Sequence, residues 1–120
     1  MRAWIDDQNR AMVEVSIAAH ARSKRENVEA WLDTAFDGHL VMPKSEIVRL
    51  GLGVLADTDA DLADGSTTRL RCYYCVVDWL GKTIPIQVVE NAGSLPLVGT
   101  ALLCLADVRI NYRSGNCSVS

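Results

Sequence analysis

Asp33 stands where a carboxylate is costly. It ends the apolar stretch Val28–Leu32 and is followed by Thr34, Ala35 and Phe36. A charge at the end of a buried strand needs hydrogen bonds or a partner. Read locally, Asp33 is a turn former whose carboxylate binds nearby backbone. Read as chemistry, a carboxylate held in place is a general acid or base. Other reactive residues are sparse. The cysteines are Cys72, Cys75, Cys104 and Cys117, with one C-x-x-C among them. Such a pair can hold zinc or carry redox chemistry. On a strand, however, residues three apart point to opposite faces. Separately packed thiols are therefore expected, with no metal and no cofactor. His20 and His39 stand in no nucleophile or zinc motif. His39 follows Ala35 closely enough to edge a cleft, although a surface place is the plainer expectation. Asp57, Asp59 and Asp61 alternate with Thr58 and Ala60. A calcium loop would want more ligands and a closing Glu, so this segment reads as a solvated strand or loop.

The elements that position these groups follow a period of two. Val13, Val15 and Ile17 alternate with Glu14 and Ser16, and Val28, Ala30 and Leu32 with Glu29 and Trp31. The same pattern runs through Leu70, Cys72, Tyr74 and Val76, through Ile84, Ile86 and Val88, and through Val108, Ile110 and Tyr112. Alternation of this kind predicts half-buried, mostly antiparallel strands. Turn residues fall between them: Asp6–Asn9 after an opening strand near Trp4, Asp64-Gly65-Ser66, and Gly81-Lys82. The polar segment 19–27 reads as a loop. Pro43 at a start and Gly51 past an end bracket a short helix. A second short helix is expected from Gly99 to Cys104. Trp4, Trp31 and Trp79 are expected in the core or at an interface.

Size and charge narrow the function classes. At 120 residues the chain is expected to be a single domain over 1–120 with a sizeable core. Its 49% hydrophobic and 22% charged residues are those of a globular protein. The net charge is −3, and the densest basic run is Arg22-Ser23-Lys24-Arg25. That run reads as a solvated loop, so no nucleic-acid partner is expected. No apolar run approaches the roughly 18–20 residues of a membrane span. Asp6 and Asp7 interrupt the place of a secretory leader. A cytoplasmic protein without disulfides, and with no membrane partner, is expected.

The stretch from Ala30 to Pro43, Ala-Trp-Leu-Asp-Thr-Ala-Phe-Asp-Gly-His-Leu-Val-Met-Pro, resembles the active-site segment of the retropepsin-like aspartic peptidases. That family shows apolar residues, then Asp-Thr/Ser-Gly/Ala, a small loop and an apolar strand. Its second signature, two apolar residues before Gly, is matched by Leu97-Val98-Gly99. The family places a β-hairpin flap between them, and Leu62-Ala63-Asp64-Gly65-Ser66 falls where a flap tip belongs. The resemblance spans roughly residues 10–112. The departures are Ala35 for the commoner Gly, and Thr100 where viral members carry an Arg. Asp37, which would meet that Arg, needs another partner.

The resemblance implies an all-β fold, a closed β-barrel with a flap hairpin and one or two short helices. It implies an aspartic endopeptidase in which two carboxylates activate a water. Asp33 is the catalytic residue, with Thr34 and Ala35 supporting its loop. Residues Leu62 to Ser66 are the flap that meets substrate, and Leu97, Val98 and Gly99 are the cleft wall. Only one Asp-Thr-Ala is present, so the resemblance implies a homodimer acting on polypeptides, each chain giving one Asp33. The alternative is the same fold as a non-catalytic dimeric peptide-binding module.

Overall fold

The alternating segments become ten strands in a computed structural model that describes residues 1–120, the side chains of Thr58 and Ala60 excepted. The chain opens with β1 (Ala3–Ile5), β2 (Ala11–Ala18) and β3 (Glu26–Leu32). Then come β4 (Leu40–Pro43), helix α1 (Lys44–Leu50) and the hairpin strands β5 (Gly53–Asp61) and β6 (Thr67–Trp79). It closes with β7 (Lys82–Asn91), β8 (Leu97–Val98), α2 (Thr100–Leu103), β9 (Val108–Asn111) and β10 (Asn116–Val119).

Eight strands form one sheet in the order β1-β2-β3-β8-β4-β7-β6-β5. An additional antiparallel pairing of β2 with β6, Ile17 opposite Val77, closes six of them into a ring. The seam between β2 and β6 carries a polar tie. Asp78 accepts from Arg25 Nε at 3.0 Å and from Thr83 Oγ1 at 2.8 Å, which fastens the 19–25 loop and β7 to the closure. Most pairings are antiparallel, as the alternation predicts, but β8 lies parallel to β3 and β4 parallel to β7.

The inside of the ring is apolar. Val13, Val15, Ile17, Leu40, Val88 and Val98 are fully buried there. The predicted phases hold for β2, β3 and β7, whose inward residues are the apolar ones. On β6 the phase differs. The face toward the core carries Tyr73, Cys75, Val77 and Trp79, while Cys72 and Val76 are buried on the other face. The middle of β6 is buried at positions of both faces, Tyr74 excepted at 37% exposed, so its apolar run is nearly continuous and its alternation ambiguous. Of the tryptophans, Trp79 is buried, Trp4 lies partly covered beneath the Arg2 guanidinium, and Trp31 is 41% exposed.

Both helices fall where Pro43, Gly51 and Gly99 place them. Pro43 is the extended residue before α1, and Gly51 ends it in the left-handed region at φ 67°. The strand β10 goes beyond the sequence reading. It pairs with β9 through a turn at Gly115 (φ 79°), and the ends are sealed by reciprocal backbone bonds between Asp107 and Ser120. The turn residues Ser114-Gly115-Asn116 before alternating Cys117-Ser118-Val119 are the signal that marks this hairpin. Among the described residues, no helix is long and apolar enough to cross a membrane.

Candidate active site

Asp33 follows the last residue of β3 and is held from two directions. Its backbone N–H donates to Val98 O at 2.8 Å, an extension of the parallel β3–β8 ladder. Its carboxylate Oδ1 accepts from Ala35 N–H at 2.9 Å, the two-residue loop typical of Asp in a turn. The local reading and the chemical reading of Asp33 are therefore compatible. The turn bond engages Oδ1, and the residue remains partly exposed at the edge of a cleft.

The segment after β8 clamps this turn. Thr100 N–H donates to Phe36 O at 2.8 Å, and Thr100 Oγ1 reaches the same oxygen at 3.2 Å. Gly99 N–H donates to His39 O at 2.9 Å, and Ala101 N–H to Gly38 O at 3.1 Å. Gly99 is required by crowding. A Cβ there would lie 2.8 Å from Phe36 O and closer still to Gly38 O and the Phe36 ring. The structure thus brings the two sequence signatures into a dense backbone contact, residues 33–39 laid on residues 97–101. Thr100 supplies the hydroxyl that binds the loop. Asp37 is exposed and forms no ion pair among the described residues.

A cleft of about 650 Å³ opens over this contact. Its floor includes Asp33, Ala35, Phe36 and His39, and Leu97 stands beside them. From the β5–β6 hairpin come Asp59, Asp61, Leu70 and Cys72, and from β7 Gln87, Val89 and Asn91. The sequence-derived site residues divide accordingly. Asp33, Ala35 and Leu97 meet in the cleft. Thr34 is exposed next to Asp33. Val98 turns the other way and is fully buried in the core, as the successive residues of a strand must. Gly99 underlies the Phe36 ring. The tip Leu62–Ser66 is an exposed turn, with Leu62 N–H bonded to Ser66 O at 2.8 Å and the Asp64 carboxylate accepting from Ser66 N–H at 2.9 Å. The hairpin reaches the cleft through its strands rather than through that tip. The acidic segment 57–61 is strand β5, with Thr58 and Ala60 side chains outside what is described.

His39 departs from the expected surface place. It is half-buried in the cleft floor, and that burial lowers its pKa, which favours the neutral imidazole. The two cysteines of the C-x-x-C face opposite ways: Cys75 is in the core and Cys72 lines the cleft. Burial pushes the Cys75 thiol up to about 12. Burial, and then the nearby Asp57 charge, push Cys72 up as well. Both stay protonated near neutral pH, which makes them poor ligands and poor nucleophiles. Among the described residues no cluster of His, Cys, Asp and Glu is arranged to hold a metal.

No family model matches the chain, and no curated protein does. Its backbone is nevertheless shared. It is similar to the structure of EIAV protease complexed with the inhibitor HBY-793, with TM-score 0.63 and 17% identity over 82% of this chain and 89% of that one. A retropepsin-like aspartic protease from Rickettsia conorii superposes with TM-score 0.66 and 13% identity, covering 91% of this chain and 82% of that one. The retroviral protease-like domain of Ddi1 from Leishmania major gives TM-score 0.50 and 18% identity over 91% and 88%. The chain has the retropepsin-like fold.

Proposed function

We propose that the protein is an aspartic endopeptidase that works as a homodimer, with Asp33 of each chain forming the catalytic pair. The observation that carries this reading is the place of Asp33. It sits at the cleft, at the end of β3, in a turn fastened by seven backbone and side-chain hydrogen bonds, only one of them to its own carboxylate. Catalytic carboxylates need such fixed placement, because misplacement by about an ångström costs roughly a hundredfold in rate. The proteases of this fold supply the reaction class.

In the proposed reaction one carboxylate is ionised and takes a proton from a water held between the pair. The hydroxide so formed attacks the scissile carbonyl carbon. The other carboxyl group donates its proton to the carbonyl oxygen, and the tetrahedral intermediate collapses as the amine nitrogen gains a proton. Two like charges so close cannot both persist, which keeps one proton on the pair. One chain carries one Asp-Thr-Ala, so a two-fold axis beside Thr34 supplies the second carboxylate. In this reading the β5–β6 hairpin is the flap, and an extended polypeptide lies between it and the floor residues.

The test is cleavage of casein or a peptide library, its inhibition by pepstatin, and sedimentation across a concentration series. The reading expects cleavage that pepstatin blocks and Asp33→Asn abolishes, in a protein that dimerises. Cleavage that survives Asp33→Asn overturns the role of Asp33. Cleavage by a monomer overturns the shared pair. Saturable binding of extended peptides without turnover identifies the non-catalytic binding module instead.

A further inference from the structure

The Phe36 side chain is fixed more tightly than an aromatic at a cleft surface needs to be. Its backbone is tied at both ends: the N–H donates to Asp33 O at 3.3 Å, and the carbonyl accepts from Thr100 N–H at 2.8 Å and Thr100 Oγ1 at 3.2 Å. Its ring lies against two glycines at once. A Cβ on Gly38 would meet the ring's Cζ, Cε1 and Cε2, and a Cβ on Gly99 would meet its Cδ2. Both glycines therefore leave the space that the ring fills. The ring cannot swing aside without abandoning both contacts, and packed interiors do not deform gradually. Phe36 remains half-buried, and it lines the same cleft as Asp33.

We propose that Phe36 sets the size of the substrate side chain that lies next to Asp33, admitting small residues and refusing large ones. The inference rests on the cleft being the peptide-binding site proposed above. An immobile ring is a wall, and a side chain that overlaps a wall loses its own burial and forces strain. Even one methylene in a shaped apolar site changes discrimination by about tenfold or more.

Binding measures this without requiring catalysis. Fluorescence polarisation is read for labelled extended peptides with a central Ala or a central Leu, on Asp33→Asn protein with and without Phe36→Ala. The Asp33→Asn protein is expected to bind the Ala peptide at least about tenfold more tightly than the Leu peptide. Adding Phe36→Ala is expected to bring that ratio to near one, and Phe36→Leu to an intermediate value. A ratio that neither substitution moves overturns the assignment, as does failure of both peptides to bind. Thermal unfolding checks each variant. If Phe36→Ala does not fold, the Phe36→Leu ratio decides. Cleavage of the same peptides by the unsubstituted protein is scored separately. Its absence with the size preference intact would sink the peptidase reading and leave the Phe36 assignment standing.

Discussion

The turn around Asp33 and the outer half of the β5–β6 hairpin border the same cleft, yet different forces hold them. The turn is locked by backbone bonds to residues 97–101, and Leu40, Val98 and Leu102 of the bonded and flanking segments are fully buried. Beyond Cys72, none of the described side chains of the hairpin belongs to the buried core. Its residues 67–71 are exposed or half-exposed, and its supports are its own ladder and two surface ion pairs, Asp57–Arg71 and Asp59–Arg69, each at 3.5 Å. One strand, β6, passes from one regime to the other: Cys72, Tyr73, Cys75, Val76 and Val77 are buried, whereas Thr67 to Arg71 are open or half-open to water. Regions of few apolar contacts and exposed hydrogen bonds open most easily, whereas packed ones keep their geometry. A fixed carboxylate beside a less tethered arm is the division of labour that the proposed flap would use.

The contrast is tested first at the fixed side. Asp33→Asn should reduce peptide cleavage by about a thousandfold, on the scale of a lost general acid–base group. It should leave the urea midpoint nearly unchanged, because the Asn carbonyl can still accept from Ala35 N–H. A large loss of stability instead would mean that Asp33 is chiefly a structural turn residue.

Next in size is a pair of leucines. Leu40→Ala, in the core under the turn, should cost about 3 kcal/mol by urea denaturation, through lost burial and the cavity left behind. Leu62→Ala, 47% exposed at the hairpin tip, should stay within about 0.5 kcal/mol. Similar losses at both sites would erase the distinction between the regions.

Two glycines sharpen it further, since each resists substitution for its own reason. Gly99→Ala drives a Cβ into Phe36 and Gly38 and should cost about 2–3 kcal/mol in unfolding free energy. Gly65→Ala meets nothing within 4 Å, but its φ of 85° strains an L-residue, so about 1 kcal/mol is expected. Equal costs would show that residues 97–101 yield as readily as the hairpin tip.

A smaller effect lies at the ring closure. The Arg25 hydrogen bond, with that of Thr83, lowers the Asp78 pKa below its ordinary value. A depressed carboxylate contributes stability above its unfolded pKa, and the contribution is lost as pH falls through the folded value. Asp78→Asn should therefore cost stability at pH 7 and flatten the acid limb below about pH 4. The side chain is 36% exposed, so the cost should stay under about 1 kcal/mol. An unchanged acid limb would remove Asp78 from the closure. The smallest effect is on the hairpin: Asp59→Asn should change stability by less than about 0.5 kcal/mol, and less in high salt. A greater loss would give the hairpin a tertiary anchor that its exposure does not indicate.

Much of this was legible along the chain, and unevenly. Strands with one buried face, β2, β3 and β7, were readable because a single inward face enforces alternation. β6 was not readable in phase, because core residues cover one side and cleft residues the other, so Cys72 and Tyr73 are both buried. His39 could be placed near a cleft edge by its spacing from Ala35, but its half-burial depends on cleft residues from the β5–β6 hairpin and β7 that local sequence does not show. Phe36 looked ordinary. Its significance lies in Gly99, which is remote in sequence and adjacent in space.

The strand-rich class, the two helix brackets, the place of Asp33 at a strand end and the Leu97-Val98-Gly99 segment can all be read from the order of residues. These are local matters of period, turn chemistry and residue type. Long-range packing sets the rest: β2 reaches β6 to close the ring, Val98 faces the core while Leu97 faces the cleft, and Phe36 is wedged between two glycines. Each of these depends on which surface approaches from a distant part of the chain, and no local pattern carries that information.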